Sequence, residues 1–462
     1  MDRRERLVVA VAVLASVVPF LDGTVTTVAL PAIDRELGGG LAGQQWVVDA
    51  YLVTLGALIL VAGAASDVLG RILVLRAGLV GFGATSLVIA LAPSIEVLIV
   101  ARALQGVAGA LLVPSSLALI TANFAGPARG RAIGVWTGMT SGAMVLGPLV
   151  GGVFVDLLSW RLAFLINVPI AGLVIWLLAR LGQRDERRPG ARIDALGAVL
   201  CTLGLGGPVF ALIEQERLGW AHPGVLVALA GGVLAFAGFL LRQRTAPQPM
   251  MPLSLFRERD FAVGNIATLF VYAALSLNGF ALGVYLQTGA GLPATLAGLA
   301  SLPITVIMIL GSSRVGALAG RIGPRPFMAA GPVVMAAGSL LLLTVGERFD
   351  YWWQVLPAML LIGAGLTLTV SPLTSAILGA VETDRSGIAS AVNNAVSRVA
   401  GLVVIALLGI IVGGQLDLAG FQRAAVATAA LLAAGGVVSL LGIRSRPRAD
   451  PAEDAAAERV SP

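Results

Sequence analysis

The chain has 462 residues, of which 57% are hydrophobic and 12% charged, with a formal net charge of +6 at pH 7. A soluble protein carries about twice that share of charge, so a string of soluble domains joined by polar linkers is excluded. The basic residues are all arginine and lie scattered through short loops. That pattern argues against a nucleic-acid surface, which needs its cations gathered in one patch.

Apolar runs recur from Leu7 almost to Arg444, each near the roughly 20 residues that cross a bilayer as a helix. The first, 8–31, follows Arg3, Arg4 and Arg6. It outlasts the apolar stretch of a signal peptide and no small-residue cleavage site stands out, so it reads as a retained span. The spacing predicts further spans at 46–65, 73–92, 96–121, 131–155, 161–181, 193–213, 223–241, 262–286, 296–318, 327–346, 353–376, 387–412 and 422–443. An even number of spans puts both termini on one side. Five arginines (Arg35, Arg161, Arg217, Arg348 and Arg423) fall in loops on the opposite side, and Arg102 and Arg398 fall inside spans. The other 24 of the 31 lie on the side of the termini, which the positive-inside rule makes the cytoplasm. Trp46, Trp160, Trp220, Trp352 and Trp353 fall near the opposite interface.

An internal echo organises these spans. After the second comes Gly63-Ala-Ala-Ser-Asp67-Val-Leu-Gly70-Arg71, and after the tenth Gly316-Ala-Leu-Ala-Gly-Arg321-Ile-Gly323-Pro-Arg325. The expected architecture is an all-α, polytopic membrane protein of 6+2+6 spans. An N-terminal six-helix bundle occupies 1–185, two inserted spans 186–245, and a C-terminal bundle, a parallel repeat of the first, 246–443. A short solvated tail, 444–462, follows. Parallel halves of this kind hold a substrate site between them near the midplane.

Ionisable groups inside spans are costly and are functional candidates by default. Asp22 lies roughly 13 Å deep from the far end of span one, Arg102 roughly 9 Å into span four from the same side, and Arg398 roughly 16 Å into span thirteen. Asp22 and Arg102 are close enough in depth to pair or to share a proton. An acid that is ionised beside a cation and neutral when isolated lets proton and substrate compete for one site; the plain alternative is a fixed pair that only joins spans one and four. Asp49 falls at the outer start of span two, within reach of solvent. Ser386, Ser390, Asn393, Ser397 and Gly401 form a stripe on span thirteen at helical spacing, with Asn394 and Arg398 beside it, suited either to packing or to lining a cavity. Tyr272, Asn278, Tyr285 and Gln287 on span nine are further lining candidates. Gly147-Pro148-Leu-Val-Gly151-Gly152 in span five suits a kinked, closely packed helix that acts as hinge or seal.

Other chemistries are excluded or unsupported. The chain contains no Lys, so neither a phosphate-binding loop of an ATP-driven pump nor a Schiff base on Lys is possible. His222, the single His, stands in a loop without a ligand cluster, and Cys201 has no partner for a disulfide. No enzyme activity, metal or cofactor is expected.

These residues together resemble the major facilitator superfamily, and within it the fourteen-span drug:proton antiporter family. Leu21-Asp22-Gly-Thr-Val-Thr-Thr-Val-Ala-Leu-Pro31 is similar to that family's first-helix signature. Arg102-Ala-Leu-Gln105-Gly106 is similar to its proton-transfer motif, and Gly147 to Gly152 to its antiporter motif. Trp160-Arg-Leu-Ala-Phe-Leu-Ile-Asn167-Val-Pro169 and Tyr285-Leu-Gln287 with Ala297-Gly-Leu-Ala-Ser-Leu-Pro303 also fit. Gly63, Asp67, Gly70 and Arg71, with Arg321 and Arg325 in the second half, resemble the superfamily's gate motif, although Val68 and Ile72 stand where basic residues are usual. The resemblance implies a secondary active transporter of the cell membrane that exports small amphipathic molecules or drugs by alternating access, in exchange for protons. Asp22, Arg102 and Gln105 would carry the coupling, and Asn278, Tyr285, Asn393, Asn394 and Arg398 are the cavity candidates. Its partners would be a small-molecule substrate, protons and the lipid bilayer. An uptake carrier on the same scaffold and a transport-dead sensor are the alternatives.

Overall fold

The structure is a computed structural model that describes residues 3–182, 185, 193–382 and 385–444, without the side chains of residues 67, 127, 141, 144 and 145. The tail expected beyond 444 lies outside the described residues. In a bilayer no water is present to satisfy a peptide group, so an apolar run must bond its own backbone as a helix. The chain does so throughout. The first half holds α1 (Arg3–Leu37), α2 (Gly40–Leu69), α3 (Arg71–Ala90), α4 (Ile95–Asn123), α5 (Gly126–Leu157), α6 (Trp160–Leu165) and α7 (Asn167–Leu181). Next come α8 (Ala195–Leu218) and α9 (Pro223–Thr245). The second half holds α10 (Arg259–Thr288), α11 (Ala294–Leu299), α12 (Leu302–Ile322), α13 (Arg325–Leu341), α14 (Leu356–Gly379), α15 (Ser386–Ala406), α16 (Leu408–Val412) and α17 (Leu418–Gly442).

Among the described residues, 13 helices or helix pairs are long and apolar enough to cross a membrane. The expected fifth span behaves differently. α5 runs for 32 residues, yet its first half is rich in Gly and polar groups, and its apolar part is confined to Leu146–Leu157. The sixth and tenth expected spans are each broken, at Ile166 and at Ala300–Ser301. Each break lies just ahead of a proline, Pro169 or Pro303, which lacks the donor and crowds the carbonyl one turn back. His222 caps α9 by accepting from Gly224 N, so its role here is local.

α8 and α9 pack on each other, and α8 also packs on α2 and α15, one from each half. The contact between the halves is unequal along its length. At the end away from the termini, one apolar cluster runs unbroken from Leu30, Ile33, Val47 and Leu98 to Leu277, Leu286, Met359 and Leu408. Toward the termini the first half keeps its own core around Leu75, Phe82 and Leu112, and the second half a separate one around Phe261, Met328 and Ile377. The halves are thus joined at the far end and part toward the termini, leaving a cavity of about 530 Å³ between them.

Trp160 was expected at the interface; it is buried instead, and its Nε1 donates to Glu36 at 2.6 Å. Trp352 and Trp353, with the same expectation, are exposed, as amphipathic rings at a headgroup layer would be.

Candidate functional site

The densest polar cluster lies inside the first half. Arg102, on α4, is 1% exposed and so is Asp22, on α1. Arg102 Nη1 donates to Asp22 Oδ2 at 2.5 Å and to Gln105 Oε1 at 2.6 Å, and Arg102 Nε donates to the Val47 carbonyl at 3.0 Å. The other carboxylate oxygen, Oδ1, accepts from Asn167 Nδ2 at 3.0 Å and Gln105 Nε2 at 3.2 Å. Ser86 Oγ on α3 accepts in turn from Gln105 at 2.8 Å, and the guanidinium lies 4.3 Å from the centre of the Tyr51 ring. A buried ion pair offsets its desolvation only when both partners are well hydrogen-bonded. This one is.

The spacing explains how five helices meet here. Arg102 and Gln105 are three apart on α4 and so share a face. Asn167 opens α7 at the break before Pro169, which turns its side chain into the bundle. Asn167, Ser86 and Tyr51 were not among the expected coupling residues, though an Asn in the apolar run before Pro169 was a usable signal. Asp22 points into the first half rather than into the cleft. Arg102 and Tyr51 line the central cavity and stand between it and the acid.

Asp49, expected near the surface, is fully buried, because α2 begins at Gly40 and places it two and a half turns inside. Neither of its carboxylate oxygens has a hydrogen-bond partner among the described residues.

The cavity wall includes Asn278, Asn393, Asn394 and Arg398 of the expected set. Tyr285 does not line it: it is buried in the second half, stacked on Phe421 at 4.3 Å between ring centres. A stacking partner one helix away makes that ring part of the core. Gln287, also expected in the pocket, instead crosses the halves and donates to the Val28 carbonyl at 3.1 Å. Asn393 both faces the cavity and ties α15 to α10, donating to Thr268 Oγ1 at 2.8 Å and Asn265 Oδ1 at 3.2 Å.

The glycines of the span-five motif sit in a three-helix junction near the sealed end. A Cβ at Gly147 would run into Thr24, and one at Gly151 would lie 3.1 Å from Val25, both on α1. A Cβ at Gly152 would lie 2.5 Å from Thr295 Cα, and Gly298 abuts the Pro148 carbonyl in the same way. Backbones this close leave no room for any side chain. One turn on, Asp156 accepts from Ala294 N at 2.9 Å and Thr295 N at 2.7 Å, capping α11 from across the cleft. Gln45 Nε2 adds a bond to the Ile405 carbonyl at 2.5 Å. Among the described residues, the hydrogen bonds between the halves all lie at this end.

The described contacts around the gate-motif residues lie within each half. Gly70 has φ of +106°, and a Cβ there would lie 2.6 Å from Asp185 Cβ. The Asp185 carboxylate accepts from Ile72 N at 2.7 Å and Leu73 N at 3.1 Å, at the helix end where a negative charge is favoured. Gly63 and Arg321 are exposed and Arg71 is half-buried. Arg325 Nε donates to the Leu440 carbonyl at 2.8 Å, bracing α13 to α17 within the second half. The Asp67 side chain lies outside the described residues.

Two helical halves around a cavity sealed at one end, with an ion pair buried behind its wall, define a class of membrane carrier. The chain belongs to the major facilitator superfamily, whose description it matches over residues 12–405. It is 33% identical to the methylenomycin A resistance protein of Bacillus subtilis (strain 168), over 88% of this chain and 87% of that one. It is 34% identical to the tetracenomycin C resistance and export protein of Streptomyces glaucescens, over 86% and 73%. Among solved structures it is similar to a peptide transporter POT in complex with sulfate (TM-score 0.70, 16% identity, 94% and 93% covered). It is also similar to a D-xylose-proton symporter (TM-score 0.68, 15% identity, 95% and 98% covered). At those identities the two structures speak for the fold.

Proposed function

We propose that the chain is a secondary transporter that exports small amphipathic molecules from the cell in exchange for protons. In this reading α5 is the fourteenth span, the termini are cytoplasmic, and the cavity opens to the cytoplasm while the far-end junction is shut. The arginine asymmetry between loops supports that orientation. Relatives named for antibiotic resistance and export support the outward direction.

The observation that carries the coupling is the placement of Asp22. Its charge is held by Arg102, and Arg102 is itself part of the cavity wall. A proton arriving on Asp22 removes the charge that holds the guanidinium and lets Arg102 turn toward the cavity, whereas loss of the proton draws it back. Proton occupancy and the shape of the binding wall are then linked. The junction of α1, α5 and α11 is the part that separates when the far side opens.

The test is proton movement in proteoliposomes containing the purified chain, followed with a trapped pH dye while structurally diverse amphipathic compounds are added. Compound-dependent proton flux is expected, and Asp22→Asn and Arg102→Ala abolish it. Compound movement without any proton movement in the unaltered protein would sink the coupling.

A further inference from the structure

We propose that the cavity takes molecules bearing a carboxylate, or a comparably compact anion, on an apolar ring-containing body, and that Arg398 receives the anion. This inference rests on the central cavity being the transport site.

The charge of the cavity wall carries the argument. No Asp or Glu is present among its described lining residues, and two arginines are. Arg102 is committed: Asp22, Gln105 and Val47 occupy its guanidinium. Arg398 makes no hydrogen bond and no ion pair among the described residues. Its one described cation–ring contact is with Phe20, whose centre lies 5.6 Å from the guanidinium carbon. A guanidinium has five donors in a planar fork and matches a carboxylate through two parallel hydrogen bonds. Held half-buried in mid-span, such a cation is costly until a counter-charge arrives.

The surroundings suit the rest of the ligand. Phe20, Tyr51 and Tyr272 supply rings, while Ser276 and Asn278 supply polar groups short of a charge. A cationic ligand would find the opposite. Asp22, behind the wall, already has a cation and two amides bound to it, so a positive body would meet an uncompensated guanidinium and no carboxylate among the described lining residues.

Three probes of one shape separate the possibilities: 1-naphthoate, its methyl ester, and 1-naphthylmethylammonium. Equilibrium dialysis against the purified full-length chain in nanodiscs, without any gradient, is expected to show naphthoate binding about tenfold or more tighter than either analogue. In Arg398→Gln that preference collapses to within about twofold, and Arg398→Lys retains part of it. Melting temperatures of both variants check that the fold is unchanged. Absent naphthoate binding, tighter binding of the ammonium probe, or a preference that survives Arg398→Gln overturns the proposal. Failure of the export reading is distinguishable, because it would abolish proton-linked flux in vesicles while leaving this binding order intact.

Discussion

Arg102 and Arg398 lie deep within membrane-spanning helices of this chain, and their surroundings are opposite. Arg102 is 1% exposed and bonded to a carboxylate, an amide and a backbone carbonyl. Arg398 is half-buried and rests on a single ring. A charge enclosed by protein must bring its partners with it, since nothing else will compensate it. A charge on the wall of a cavity can wait for one to enter. In the proposed mechanism this difference makes Arg102 part of the coupling machinery and Arg398 part of the binding surface.

Substitutions can break or sharpen this contrast, and the largest effect is expected at the enclosed pair. Arg102→Ala leaves Asp22 buried without its cation and should cost about 3–5 kcal/mol of stability, read as a lowered midpoint of thermal unfolding in detergent. Asp22→Asn keeps the shape but removes the negative charge, so a smaller loss of about 2 kcal/mol is expected. It should abolish substrate-dependent proton flux in the same preparation. Asn167→Ala removes one neutral donor from Asp22 and should cost about 1 kcal/mol. At the far end of the scale, Arg398→Ala should change stability by less than about 0.5 kcal/mol, having no bond to lose. A large destabilisation there would mean that Arg398 is a structural residue and would erase the distinction between the two cations.

The two ends of the contact between halves repeat the same lesson at a larger scale. At the sealed end, Gly152 and Gly298 let the backbones of the two halves touch, and Asp156 and Gln45 bond across. Toward the termini, the Asp185 bonds to Ile72 N and Leu73 N and the Arg325 bond to the Leu440 carbonyl each lie within one half. The described contacts of the span-five motif reach across the halves, whereas those around the gate motif lie within one half.

Much of this was legible in the chain itself. The apolar runs anticipated the helices, because a bilayer leaves an apolar segment no other backbone solution. Asp22, Arg102 and Arg398 stood out for the same reason: a charge in such a run is conspicuous. What was hidden depended on packing. The depth of Asp49 followed from where α2 starts, and the fate of Tyr285 from the Phe421 ring on a helix more than a hundred residues away. The share of Asn167 in holding Asp22 needed the break in the sixth span and the meeting of α1 with α7. Periodicity along one helix cannot report which neighbour lies across from it.

By itself, the sequence determined that this is a helical membrane protein, which charges lie within its spans, and which family it resembles. Only the tertiary structure decided that Asp22 turns inward behind Arg102, that Arg398 has no counter-charge among the described residues, and that the halves meet at one end. The physical reason is that span formation is a contest between each segment and the lipid, settled locally. The partner of a buried charge, by contrast, is chosen by how distant helices pack.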